Sequence, residues 1–61
     1  MSKKHYVKIA AALRELWERH TDPAERTILA EVANSYSVIA IDDNPNFNKH
    51  RFLVACGMDS N

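Results

Sequence analysis

Four side chains in this 61-residue chain carry the donor atoms that zinc prefers, namely His5, His20, His50 and Cys56. Their spacing works against a shared ion. His50 and Cys56 are six residues apart, about 600° around a helix and so on different faces, and His5 and His20 are about 22 Å apart along one. His20, at a helix end, reads as a partner for the helix dipole, and Cys56 as a small buried hydrophobe. Acid–base chemistry would need a His with an orienting acid or paired carboxylates in a cleft. The candidates, His20 with Asp22 and Asp42 with Asp43, both fall at helix boundaries. Gly57 is the only glycine, so no phosphate-cradling loop exists, and no Ser or Cys nucleophile stands in a recognisable setting. The reading is of a chain with no catalytic residue, no metal site and no cofactor.

Binding remains. Tyr6, Trp17 and Tyr36 are the candidate anchors for a protein partner, because aromatic side chains dominate interface hot spots. All three lie on the inward stripes of their helices, so core packing competes for them. Trp17 is the residue whose ring is hardest to cover completely in so small a domain. The alternative is a small DNA-binding regulator of helix-turn-helix type. Lys49, His50 and Arg51 would then face the major groove and Lys4 and Lys8 the phosphates. Formal net charge is zero, which speaks against a broad nucleic-acid surface. The charges are nevertheless segregated: Lys3, Lys4, Lys8, Arg14 and Arg19 dominate residues 1–20, while Asp22, Glu25, Glu31, Asp42 and Asp43 face Arg26 alone in 21–43.

These residues need elements to hold them, and the pattern predicts a single all-α domain over residues 1–61 with helices at about 4–20, 23–41 and 49–56. Tyr6, Ile9, Ala10, Leu13, Leu16 and Trp17 recur at three- and four-residue steps on the first helix. Arg14–Glu18 and Glu15–Arg19 are spaced as i,i+4 pairs on its outer side. Asp22-Pro23-Ala24-Glu25 predicts a capped start for the second, with a capping box between Asp22 and Glu25. Its expected inward line is Ile28, Leu29, Val32, Ala33, Tyr36, Ile39 and Ala40, and Asn44-Pro45 ends it. Asn48 is the expected cap of a short third helix, Phe47 and Phe52 its hydrophobic staple, and Gly57 its left-handed stop. The two longer helices run antiparallel. Asp59-Ser60-Asn61 reads as a frayed tail.

The segment Asn44-Pro45-Asn46-Phe47-Asn48-Lys49-His50-Arg51-Phe52-Leu53-Val54-Ala55-Cys56-Gly57 resembles the ending of a group of small proteins from actinobacteria and their phages. Their pattern is N-P-x-F-[DN]-x-x-R-F-L-x-A-C-G, and they too have a His-Tyr pair leading into the first helix. That group has no assigned activity. The resemblance implies the same fold and an accessory role in a phage or mobile element.

A small core, a lone cysteine that excludes an internal disulfide, and no apolar run near the ~20 residues that span a bilayer complete the expectation. It is of a cytoplasmic protein (host cytoplasm if phage-encoded), without a membrane partner. It acts by docking on another protein or on its own copy.

Overall fold

The computed structural model describes residues 3–58, and the expected all-α, three-helix fold is the fold found: α1 (Lys3–Arg19), α2 (Pro23–Asp43) and α3 (Lys49–Ala55). The boundaries fall within two residues of those expected. The tail from Asp59 lies outside the described residues. Tyr6 meets Tyr36 and Trp17 meets Arg26, so α1 and α2 run antiparallel, and each also packs against α3.

Each junction follows from a local hydrogen-bonding demand. The N–H of Ala24 donates to Asp22 Oδ1 at 3.3 Å, with Pro23 filling the first helical position, where no N–H partner is required. Asp22 thus caps through Ala24, and the expected capping box with Glu25 does not form. Glu25 turns away from Asp22 and its Oε1 lies 3.3 Å from His20 Nδ1. α2 stops at Asn44, whose backbone is extended as the following proline demands. Asn44 Oδ1 accepts from the N–H of Asn46 at 3.1 Å and its carbonyl from the N–H of Phe47 at 2.9 Å, which turns the chain toward α3.

α3 is two turns long and persists because both ends are closed and one face is packed. Asn48 Oδ1 accepts from the N–H of Arg51 at 3.0 Å, and Phe47 and Phe52 stack with centroids 5.5 Å apart. Gly57 (φ +77°) carries the chain into the left-handed region. The N–H of Gly57 then reaches Val54 O and that of Met58 reaches Leu53 O, the two bonds of a Schellman ending.

The core consists of Ala10, Leu13, Ala33, Ala40, Phe52 and Cys56, flanked by Ile9, Tyr36, Phe47, Leu53 and Met58. One expectation fails here. The supposed inward line of α2 splits in two, because only Ala33 and Ala40 are buried, with Leu29 and Tyr36 half-buried, while Ile28, Val32 and Ile39 face outward. The buried residues Ala33, Ser37 and Ala40 share a strip about 60° wide. Small side chains win this position because they let two helices approach α2 closely, and branched ones at the same place would hold them apart. Ser37, fully buried, donates its Oγ hydrogen to Ala33 O at 2.8 Å. Leu16, also expected inward, is exposed.

Candidate interaction surface

The three aromatic anchors are spent on the interior to different degrees. Tyr6, Tyr36, Phe47 and Phe52 form one cluster with centroid separations from 4.8 Å to 6.4 Å, edge-on for Tyr6 against Tyr36 and Phe47. Both tyrosines are half-buried, and Tyr6 Oη is buried with no hydrogen-bond partner. Burial and the negative charge of Tyr6 and Asp43 raise the Tyr36 phenol above its ordinary pKa. Trp17 is half-buried and capped by a group the sequence reading did not foresee. The Arg26 guanidinium lies 4.6 Å from its ring centroid and donates to Trp17 O at 3.0 Å and His20 O at 2.9 Å. Arg26 thereby satisfies the open carbonyls at the C-terminus of α1, the place assigned to His20. The available signal was that Arg26 is the lone cation in an acidic stretch, one helical turn after the cap.

The basic residues are solvent-facing. Lys49, His50 and Arg51 occupy the first turn of α3, and Lys4 and Lys8 the outer side of α1. Arg51 and Lys3 border a trough of about 390 Å³ between α1 and α3, floored by Tyr6, Phe47 and Phe52 and edged by Asn44 and Asn48. Its lining contains no Asp, Glu, His or Cys. Among the described residues no three His, Cys, Asp or Glu side chains gather as a cation cage. Nor is any helix long and apolar enough to cross a membrane. His20 faces Glu25, while Asp22 is engaged as a cap. Cys56 is wholly buried, and burial pushes its thiol pKa up to about 11, which suppresses the thiolate that nucleophilic chemistry requires.

The outer side of α2 is the exceptional surface. Ile28, Val32 and Ile39 fall within about 40° of one another around the helix. They are 61%, 49% and 60% exposed. α2 carries apolar side chains on both its covered and its open side, and it is covered on one side only. Glu25, Glu31 and Asp42 border the line, all exposed, and no Lys or Arg does so. The signal in the sequence was the small-residue spacing of Ala33, Ser37 and Ala40, which marks the inner face by size where hydrophobicity alone marks the outer one. No family model matches the chain, and neither does any curated protein or solved structure.

Proposed function

We propose that this chain is a non-enzymatic interaction protein whose contact surface is the outer face of α2. The observation that carries the reading is the line of Ile28, Val32 and Ile39 left in solvent along one side of α2. Exposed aliphatic side chains cost solubility, and a contiguous set on a rigid element marks a site that another surface covers. The resemblance of residues 44–57 to small actinobacterial and phage proteins favours an accessory role in a phage or mobile element, in the cytoplasm of its host.

The test is affinity capture from the cells that encode the protein, with the wild type and with Val32→Asp/Ile39→Asp as baits. Both substitutions sit on solvent-facing helical positions, so thermal unfolding of the variant should stay close to that of the parent. A partner retained by the wild type and lost by the variant is the expected result. Indistinguishable captures from the two folded baits would defeat the proposal.

A second reading rests on Lys3 and Arg51 flanking one trough, with Lys49 and His50 beside it on α3. Here the basic end of the molecule binds DNA. Salt-sensitive binding that Lys49→Ala/Arg51→Ala abolishes would support it, and undetectable binding at low salt would remove it.

A further inference from the structure

We propose that the occupant of this face is a second copy of the chain, with α1 of each copy lying along α2 of the other about a two-fold axis parallel to the helices. The inference rests on the interaction reading above and names the partner. Its first support is the imbalance of the interior. The largest fully buried side chains are Cys56 and Ser37, whereas eight large aliphatic residues, from Val7 to Val54, are exposed among the described residues. Self-association is a common remedy for so small a core.

Charge decides between the possible pairings. α2 on α2 would set Glu25, Glu31 and Asp42 against their own copies, with Arg26 already turned inward onto α1. α1 on α2 sets Lys8 and, beside Glu15, Arg19 against that acidic border, with Lys4 at its edge, all of them exposed. A two-fold axis perpendicular to the helices gives the first arrangement, and one along them gives the second. The opposed segregation of charge in a chain of zero net charge therefore selects the parallel axis.

The apolar part is also supplied from both sides. Around α1, Leu16 lies about half a turn from Val7. Val7 lines the trough against α3, so Leu16 faces away from that helix. The right-handed sense of the helices puts Ile28, Val32 and Ile39 on this same open side of the α1–α2 layer. Each molecule measures 32 × 19 × 17 Å. Its broad face is thus about 600 Å² in projection, comparable with the ~800 Å² per partner of a standard specific interface.

Sedimentation equilibrium and a charge-swap pair test the arrangement. The wild type is expected to be dimeric at about 100 µM, where a Kd of about 1 µM leaves roughly nine-tenths of chains paired. Val32→Asp should weaken the dimer by about thirty-fold or more, as for a central interface residue. Glu31→Lys/Asp42→Lys and Lys4→Glu/Lys8→Glu should each be folded by circular dichroism and monomeric alone, yet form a heterodimer when mixed. A wild type still monomeric at about 1 mM overturns the proposal. It leaves the capture experiment, and with it the interaction reading, to stand or fall separately. Failure of the mixed variants to pair, or pairing of Glu31→Lys/Asp42→Lys with the wild type in their place, overturns the α1-on-α2 geometry.

Discussion

At the residue scale, four residues are held by circumstances that set the outcome of changing them. Gly57 is needed for its backbone: at φ +77° an added Cβ would sit 3.5 Å from Arg14 Cγ, an ordinary contact, so the cost of Gly57→Ala comes from the left-handed conformation. Denaturant melts should show a loss of about 1–2 kcal/mol. Tyr6 Oη is buried without a partner, so Tyr6→Phe deletes a desolvated hydroxyl and keeps the ring contacts with Tyr36 and Phe47. The unfolding free energy is expected to hold or rise, and a loss of more than about 1 kcal/mol in denaturant melts would reveal a hydrogen bond that Tyr6 makes in solution. Arg26 bonds two terminal carbonyls of α1 and covers Trp17, and Arg26→Ala should cost about 2 kcal/mol. Cys56 gives a pH dependence of definite sign. Its thiol titrates near 9 when unfolded and about 11 when folded, so the unfolded chain loses its proton first and stability declines as pH climbs from 9 toward 11. The decline should reach about 2–3 kcal/mol and shrink in Cys56→Ala, with the raised Tyr36 phenol adding a further fall at higher pH.

At the scale of elements, what could be read from sequence was whatever depended on neighbours in the chain. Asp22-Pro23, Asn44-Pro45, Asn48 with Phe47 and Phe52, and Gly57 each act within a few residues, and each terminus stands where that chemistry puts it. The inner face of α2 was not legible, because it depends on how closely α1 and α3 approach. Hydrophobicity weights Ile28, Val32 and Ile39 above Ala33, Ser37 and Ala40, while close packing rewards the reverse order. The same holds for the exposed residues: Tyr6, Trp17 and Tyr36, the aromatic candidates for a contact, are half-buried, while Ile28, Val32 and Ile39, credited by their spacing to the interior, lie in solvent. The two faces of α2 should respond to substitution in opposite ways. Ser37→Leu forces bulk into a filled contact and should destabilise by about 1–3 kcal/mol in chemical denaturation. Ile39→Asp, on the far side of the same helix, should leave the unfolding midpoint nearly unchanged at protein concentrations too low for self-association.

At the scale of the whole molecule, charge and shape are arranged on the same axis. α1 is cationic and α2 anionic, and the ion pairs of α1, Arg14–Glu18 at 3.7 Å and Arg19–Glu15 at 3.9 Å, lie within that helix on its outer side. Those pairs are exposed and add little to stability. Their removal should be nearly silent in thermal melts.

α2 runs about 31 Å at 1.5 Å per residue, the full 32 Å length of the molecule. A strip borne by one unbroken rod keeps the separations of its side chains whatever α3 does, so no segment has to become ordered when the strip is covered. On the proposed contact, the entropic tax that flexible recognition loops incur would thereby be avoided, favouring tight, slowly dissociating attachment.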